Sequence, residues 1–224
     1  MFVAPSRRNS LLASTALAAW GSLGLLGHAQ AAVTPCAKPE IQIQADQQAD
    51  IDIRKNVAHL RNVVITQCDS RIEANEAQVT GGIEFENAKW AFSGNVRIKA
   101  EGGSLSSDKA IVSFHNKLIA EATITGDPAE FVQVRDDGTT SRGHAKTIDY
   151  ETSRGTVSFR KDAWLSDGCN EIKGETLTYN IRAQRVEGQK TPTTQTANGR
   201  ITITIQPKDA DGQKPCSKPV VGKP

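Results

Sequence analysis

The sequence lacks a surplus of either charge. Its 224 residues hold 27 Lys and Arg against 25 Asp and Glu, a formal net charge of +2 at pH 7. Two of the basic residues, Arg7 and Arg8, lie among the first 31, so the rest of the chain balances 25 basic residues with 25 acidic ones. Proteins that bind nucleic acid through its phosphates concentrate Lys and Arg. The composition therefore indicates no nucleic-acid partner.

After its N-terminal segment the sequence lacks any apolar run long enough to span a membrane. Residues 11–27 form an uncharged, apolar stretch of 17 residues, shorter than the roughly 20 needed for a spanning helix. The stretch follows Arg7 and Arg8 and precedes Ala29-Gln30-Ala31, the order of parts found in secretory signal peptides. We expect residues 1–31 to be a cleaved signal peptide that directs export to an oxidising compartment. A retained anchor helix is the alternative.

Helical periodicity is also lacking. No stretch repeats apolar residues at i, i+3, i+4 and i+7 for long enough to indicate a helix. Apolar and polar residues alternate instead, as they do along a β-strand with one buried face. The pattern predicts an all-β fold with one domain over residues 41–207. Residues 208–224, rich in Lys, Asp, Gly and Pro, are expected to form a disordered tail.

The strand pattern repeats along the chain with the same defect in each copy. Ile172 and Gly174 share one parity, whereas Leu177 and Tyr179 share the other. The alternation slips by one residue at 175–176, which predicts a bulge or a corner. The same slip follows three other starts, and a fainter copy precedes them: Ile72, Leu105, Gly143 and Ile43. Spacings of 29 to 38 residues between starts indicate stacked, bent β units joined by loops of variable length.

Each unit is predicted to be a hairpin. A second apolar arm precedes most copies by nine residues, as Val63 precedes Ile72. Gly and Asp, which favour turns, lie between the arms at 68–70, 101–103, 136–138 and 167–169. Separate strands are expected at 90–93, 155–159 and 200–206, and Gly94-Asn95 is interpreted as a turn.

One face of these strands is apolar along its whole length, whereas the opposite face is charged or polar at almost every step. Such a face forms either a closed, dry core or an open trough, and the pattern alone does not separate the two. The residues predicted to line it are Val63, Ile65, Ile72, Val79, Phe92, Val96, Ile98, Leu105, Val112, Phe114, Phe131, Ile148, Tyr150, Val157, Phe159, Leu165, Ile172, Leu177 and Tyr179.

Catalytic constellations are lacking. The carboxylates of Asp50 and Asp52, and of Asp149 and Glu151, lie two residues apart and hence on one face of a strand. Such pairs are usually solvated, and a glycosidase needs two carboxylates that converge on one bond. No phosphate-binding loop and no nucleophile with a paired base accompany them. We therefore expect neither enzymatic activity nor a cofactor.

Four cysteines lie beyond the signal segment: Cys36, Cys68, Cys169 and Cys216. In an oxidising compartment an even number favours two disulfides, for which three pairings exist. Cys68 and Cys169 lie in turns before a repeat start, and the other two lie in the terminal segments. We favour Cys36 with Cys68 and Cys169 with Cys216, each joining a terminus to its nearest repeat. A zinc site is disfavoured because no CxxC or HxxxH spacing occurs.

Five short segments occur in an order that points to a known family. They are 43–48 (IQADQQ), 92–96 (FSGNV), 126–131 (GDPAEF), 143–151 (GHAKTIDYE) and 170–179 (NEIKGETLTY). Together they resemble the OstA-like family of periplasmic lipopolysaccharide transport proteins, over residues 41–207. The four cysteines depart from this pattern, because the family does not require them.

The resemblance implies an open β-jellyroll of stacked, bent antiparallel hairpins that shields the acyl chains of lipid A. It implies a carrier or bridge in the periplasm, between the inner and outer membranes. It also implies head-to-tail joining of protomers and edge-strand pairing with LptC-like and LptD-like proteins.

The first and last strands would form the edges of this stack. Ile41 and Ile43 lie at one end, and Ile201, Ile203 and Ile205 alternate with threonine at the other. An alternating, nearly uncharged strand is a poor solvent-exposed edge. We expect it to pair with the next protomer or with a partner strand. A tail folded back over the last strand and held by Cys216 is the alternative.

Three other functions remain open. Retention of residues 11–27 would make the chain an LptC-like, membrane-anchored protein of the same fold. An extracytoplasmic carbohydrate enzyme on a β-solenoid would line its trough with acids and aromatics, whereas Val, Ile, Ala and Phe dominate here. An envelope scaffold would use the apolar face as a dry core, and a pocket along the stack would distinguish a carrier from it.

Overall fold

The computed structural model describes residues 40–47, 49–80, 85–100, 102–135, 138–188 and 200–206. Regular structure in these ranges consists of twelve strands. They are β1 (Gln42–Gln44), β2 (Asp50–Asp52), β3 (Val57–Gln67), β4 (Ser70–Thr80), β5 (Lys89–Ala100), β6 (Gly103–His115), β7 (Leu118–Val134), β8 (Thr140–Glu151), β9 (Thr156–Ser166), β10 (Glu171–Asn180), β11 (Arg185–Gly188) and β12 (Thr202–Thr204). No helix long and apolar enough to cross a membrane occurs in these ranges. The predicted all-β class is confirmed.

The long strands β3 to β10 form an antiparallel meander in which each strand pairs with its neighbours in sequence. Two short strands cover each end of the meander. At one end β1 pairs with β3 at Val64–Thr66 and β2 pairs with β3 at Val57–His59. At the other end β11 pairs with β10 at Leu177–Asn180 and β12 pairs with β10 at Glu171–Lys173. Among the described strands, those at one end do not pair with those at the other, so this sheet is open.

Each long strand bends near its middle, and β4, β6, β8 and β10 bend at the predicted slips. The register between neighbouring strands shifts at one level through the stack: Glu73/Glu76, Ser93/Val96, Ser106/Lys109, Thr125/Ala129, His144/Thr147 and Gly174/Thr176. Left-handed backbone occurs at this level, with φ of 48° at Asn62, 75° at Gly94 and 64° at Lys161. Bulges of this kind bend strands and re-aim their side chains. The interpretation of the slip as a bulge or corner is confirmed.

The bends fold the sheet into two facing layers. The front layer comprises 57–61, 76–80, 89–93, 109–115, 118–125, 147–151, 156–160 and 176–180, flanked by β2 and β11. The back layer comprises 63–67, 70–74, 96–100, 103–107, 129–134, 140–145, 163–166 and 171–174, flanked by β1 and β12. The result is the open β-jellyroll of stacked, bent antiparallel strands that the sequence predicts.

Several details of the predicted strands are wrong. Gly94-Asn95 is not a turn but the bend of β5, where a Cβ at Gly94 would lie 2.8 Å from Asn75 Nδ2. The separate strands expected at 90–93 and 155–159 are the front-layer halves of β5 and β9. The hairpins are not separate units, because each long strand pairs equally with both neighbours. The last strand spans only Thr202–Thr204, and β11 shares its end of the sheet.

The residues predicted to form the hairpin turns do lie between strands, where the structure describes them. Left-handed backbone occurs at Cys68, Gly102, Gly138 and Gly168, with φ of 53°, 95°, 78° and 90°. Glycine adopts this conformation without the steric penalty of a Cβ. Asp167 further closes its turn by accepting hydrogen bonds from the backbone N–H groups of the two residues that follow Gly168.

Cys68 and Cys169 lie in turns near opposite ends of the meander. Seven strand steps separate β3 from β10, about 33 Å along the stack at about 4.8 Å per step. A disulfide requires Cα atoms closer than about 7 Å, so these two cysteines do not pair with each other. Neither is a free thiol among the described residues. Cys36, Cys216, the signal segment 1–31 and the tail 208–224 lie outside the described residues, so both predicted pairings stay predictions.

Candidate functional site

The inner faces of the two layers form one continuous apolar interior. All of the residues predicted to line a trough point into it, and all but Ile172 are buried, at most 6% exposed. Ile172 is partly buried against the same cluster. In this conformation the two layers therefore close on each other as a packed core. The sheet is open at its ends, but the interior is not an open trough along its length.

Pattern reasoning missed several large interior residues. Trp90 and Ile124 are fully buried, and each shares the parity of a neighbour two residues away that also faces inward. Leu60 lies on the N-terminal side of the bend of β3. Inward residues have even numbers before this bend and odd numbers after it. Phe85 belongs to the β4–β5 connection and carries no strand pattern at all. Cross-strand pairing, of Trp90 with Val79 and of Ile124 with Ile148, is the signal that would have found the first two.

Two aromatic clusters occupy the interior. In the first, the Trp90 ring stacks on Phe85 at 4.8 Å and on Phe92 at 5.9 Å, and Phe114 meets Phe85 edge-on at 4.8 Å. In the second, Phe131 meets Phe159 at 5.9 Å and Tyr179 at 6.2 Å, both edge-on. Rings in these arrangements bury large apolar areas with favourable edge and stacking geometry.

The second cluster joins the two layers. Phe131 belongs to the back layer, whereas Phe159 and Tyr179 belong to the front layer. The fit is close enough that a Cβ added at Gly143 in the back layer would lie 2.6 Å from the Phe159 ring. A larger residue at position 143 would therefore force the layers apart.

Turns of both layers meet on the side opposite the bends, around Gly102, Arg135, Ile181 and Gln184; we call this side the seam. Arg135 Nη1 donates to Gln184 Oε1 across the seam at 3.4 Å. A Cβ at Gly102 would lie 3.2 Å from the Ile181 side chain. Just inside the seam, the Tyr179 hydroxyl donates to Gln133 Oε1 at 2.8 Å in a buried hydrogen bond. The seam is thus the place where polar contacts hold the layers together.

Two cavities differ in their lining. One of about 750 Å³ lies on the outer face of the front layer and is lined mainly by polar residues, including His59, Arg61, Glu76 and Lys109. The other measures about 10 Å³. It lies between Phe114 and Ile119 of the front layer and Ile41, Ile65 and Ile72 of the back layer. Gln67, Ser70 and Arg71 also line the small cleft, whose surface is mostly apolar. The large cavity reaches the core residues Leu60 and Phe92 as well.

The exposed apolar residues concentrate at the two ends of the interior. Ile43 pairs with Ile65 and Ile51 pairs with Ala58, so both share the inward parity, yet they are 38% and 50% exposed. At the other end Ile203 pairs with Ile172 and is 60% exposed. Ile201 and Ile205 share its parity and are also exposed, and Ile41 is partly buried. The apolar face therefore continues to both edges, where no further strand of the described residues covers it.

Both carboxylate pairs noted in the sequence contain residues that form surface ion pairs. Asp149 pairs with Arg160 at 2.6 Å and accepts a hydrogen bond from Thr123 at 2.9 Å. Asp52 pairs with Lys55 at 3.2 Å, and the backbone N–H of Lys55 lowers the pKa of this carboxyl. Within the described ranges no three His, Cys, Asp or Glu residues gather as a metal site would need.

Comparisons with known proteins give relatives from one transport system. A family model described as "LptA/(LptD N-terminal domain) LPS transport protein" matches residues 81–185. The lipopolysaccharide export system proteins LptA of Escherichia coli (strain K12) and Shigella flexneri are each 27% identical over 188 residues, 84% of this chain and 84% of theirs. The crystal structure of LptH, the LptA homologous periplasmic component of lipopolysaccharide transport in Pseudomonas aeruginosa, superposes with a TM-score of 0.42 at 22% identity. The match covers 75% of this chain and 96% of the LptH chain.

Proposed function

We propose, from the premise that this chain is an LptA-like lipopolysaccharide transport protein, that it shields lipopolysaccharide acyl chains on their way through the periplasm. The observation that carries the proposal is the apolar interior, which runs without interruption from β1 and β2 to β11 and β12. Exposing an acyl chain of a dozen methylenes to water costs about 10 kcal/mol at about 0.8 kcal/mol per CH₂. A carrier must therefore offer an apolar path of comparable length.

The lipid-binding residues in this proposal are the inward residues that the sequence predicts, from Val63 to Tyr179. Because the layers are closed, acyl chains must replace contacts between layers and cannot simply fill a void. The seam is the favoured route. Its contact between Arg135 and Gln184 involves exposed polar groups, which water can satisfy when the layers part. The sugar and phosphate groups would then stay outside while the chains lie within.

The two ends support the proposed assembly. Protomers joined head to tail would cover the exposed isoleucines of β12 in one copy with those of β1 and β2 in the next. Backbone pairing at an open sheet edge is an established mode of association. LptC-like and LptD-like partners would pair with the same edges at the two termini of the bridge. Curated relatives that carry the name LptA give no support to the alternative of an LptC-like anchored protein.

Location and cross-linking complete the proposal. The signal peptide over 1–31 would direct the chain to the periplasm, where the domain over 41–207 folds and the tail follows. In that oxidising compartment Cys68 and Cys169 would each pair with a terminal cysteine, Cys36 and Cys216 respectively. Such cross-links would hold the terminal segments against the ends of the meander.

A scaffold with a dry core is the second candidate, and the burial of the interior favours it. The two functions differ in what the purified protein carries. Lipid extracted from protein isolated from the envelope should contain lipopolysaccharide in near-stoichiometric amount, identified by mass spectrometry. Protein that carries no lipid, and that binds no added lipopolysaccharide, would leave the scaffold as the better account.

A further inference from the structure

Trp90 carries a hydrogen-bond donor for which the described residues offer no acceptor. Its side chain is fully buried on the inner face of β5, and among the described residues nothing accepts from its indole Nε1–H. Buried tryptophan N–H groups usually find a partner, because a buried donor left unpaired is destabilising. An orphaned donor in an apolar interior therefore points to an acceptor that arrives with a ligand.

Phe85, whose ring stacks on Trp90, has a strained backbone conformation. Phe85 stacks on Trp90 with its ring plane only 19° from that of the indole. Its backbone φ is 54°, a value that bulky residues with a Cβ rarely adopt. The backbone N–H of Lys117 donates to the Phe85 carbonyl at 3.1 Å and keeps the connection in place. Strain of this kind persists where the surrounding structure imposes it, often at binding sites.

The position of the pair suits the head of an acyl chain. Trp90 is the second residue of β5 and Phe85 lies in the β4–β5 connection, so both lie at the seam side of the front layer. Phe114 meets both rings and also lines the small apolar cleft between the layers. A chain that enters through the seam would pass these rings first, with its carbonyl group near the mouth and its methylenes deeper.

Resting on the proposed function, we infer that Trp90 Nε1 donates a hydrogen bond to the ester or amide carbonyl of a bound fatty acyl chain. Phe85 is the ring that the chain displaces. Indole N–H is a donor only, so the ligand atom must be an acceptor, and the surrounding rings disfavour a charged one. The carbonyl would otherwise be buried without a donor, so the two groups satisfy each other.

The first test uses the parent protein and two synthetic probes. One is a phosphorylated glucoside with two ester-linked myristoyl chains, and the other has ether links in place of both esters. Indole resonances are followed by ¹⁵N NMR, and the Trp90 signal is assigned by its loss in Trp90→Phe. The ester probe should move the Trp90 N–H signal downfield, whereas the ether probe should not. Equal shifts of the Trp90 N–H signal with both bound probes, or no shift with either, would contradict the proposed hydrogen bond.

The second test compares affinities. Trp90→Phe should weaken binding of the ester probe about fivefold to tenfold, the value of one hydrogen bond, and leave the ether probe unaffected. Trp164→Phe, on the outer face, is the matched control and should bind both probes as the parent does. If the parent binds neither probe, the carrier function itself fails. If Trp90→Phe binds both probes as the parent does, the carrier function stands and the proposed hydrogen bond from Trp90 to the acyl carbonyl is wrong.

Discussion

The middle and the ends of the apolar interior contain similar side chains but differ in exposure. Phe159 and Ile124, in the middle, are fully buried between the layers. Ile53 and Ile205, at the two ends, are 76% and 72% exposed. Among the described residues, the two layers therefore close on each other in the middle, whereas the apolar face stays exposed at both ends. The ends present the apolar face that a further copy or partner would cover.

The largest expected effect is the loss of stability when a side chain in the middle of the apolar interior is truncated. Phe159→Ala removes a ring that packs against Gly143 and Phe131, and should lower the free energy of unfolding by about 3–5 kcal/mol. Ile205→Ala, at the end, should change it by less than about 0.5 kcal/mol. Urea denaturation of both variants measures the difference. Equal losses would mean that the ends pack as the middle does.

Oxidation should stabilise the ends by the next largest amount. If Cys68 and Cys169 bond to the terminal cysteines, reduction should lower the free energy of unfolding by about 2–4 kcal/mol. Peptide mapping without reductant should recover Cys36 with Cys68 and Cys169 with Cys216. Recovery of Cys36 with Cys169, or of Cys68 with Cys216, would refute the assigned pairing. A free thiol at Cys216 would show that no disulfide holds the C-terminal segment.

The seam should be weakened by the loss of its buried hydrogen bond. Tyr179→Phe leaves Gln133 Oε1 without its 2.8 Å donor and should destabilise the protein by about 1–3 kcal/mol. The double variant Tyr179→Phe with Gln133→Leu removes both polar groups and should recover most of that loss. Thermal unfolding of the three variants tests the coupling, and additive losses would show that the two groups do not interact.

Substitutions in the edge strand β12 should abolish head-to-tail assembly with little effect on the fold. Ile203→Lys together with Thr204→Pro places a charge and a proline on β12 and should give a monodisperse monomer that still binds lipid. Ile111→Lys, on the exposed outer face of β6, is the matched control and should assemble as the parent does. Light scattering at increasing concentration distinguishes them. A double variant that still assembles would place the interface elsewhere.

The smallest expected effect is on the pH dependence of stability, and it arises from Asp167 in the β9–β10 turn. Burial opposes ionisation of Asp167, but the backbone N–H groups of Asn170 and Cys169 outweigh it and hold the pKa below its ordinary value of 3.8. A lowered pKa stabilises the folded state above the ordinary value, and the stabilisation is lost as the pH falls through the folded pKa. Asp167→Asn should flatten the dependence of stability on pH below about 4.

A matched control keeps the carboxylate in place. Ser166→Ala removes only the hydrogen bond that its hydroxyl accepts from the Gly168 N–H at 3.0 Å. This variant should retain the pH dependence of the parent. Loss of the dependence in both variants would assign it to the turn as a whole and not to Asp167.

Much of the fold could be predicted because the alternation of side chains is a local property. The slip between Gly174 and Leu177 marked a bend, and the structure places one there. Gly94-Asn95 was misread because the same left-handed backbone serves a turn and a mid-strand bulge. Which of the two forms depends on pairing with Asn75 on the neighbouring strand, a contact that sequence patterns do not reveal.

The interior was harder to predict than the strands. Inward parity identifies residues such as Phe92 correctly, but whether two layers close or stay apart depends on how their side chains fit. The close approach of Phe159 to Gly143 is a contact between layers and leaves no trace in the parity. Phe85 was missed because its burial comes from a connection that packs back onto β6.

The central claim, that acyl chains lie between the layers, can be tested with the two tryptophans of the described domain. Trp90 faces inward and is fully buried, whereas Trp164 stacks on His144 on the outer face of the back layer. Two variants are compared, Trp164→Phe and Trp90→Phe, both with Trp20→Phe. Lipopolysaccharide with brominated acyl chains quenches fluorescence on contact. If acyl chains lie between the layers, Trp90 fluorescence should be strongly quenched and Trp164 fluorescence should not. Quenching of Trp164 alone, or of neither tryptophan when lipid is bound, would show that the chains lie elsewhere.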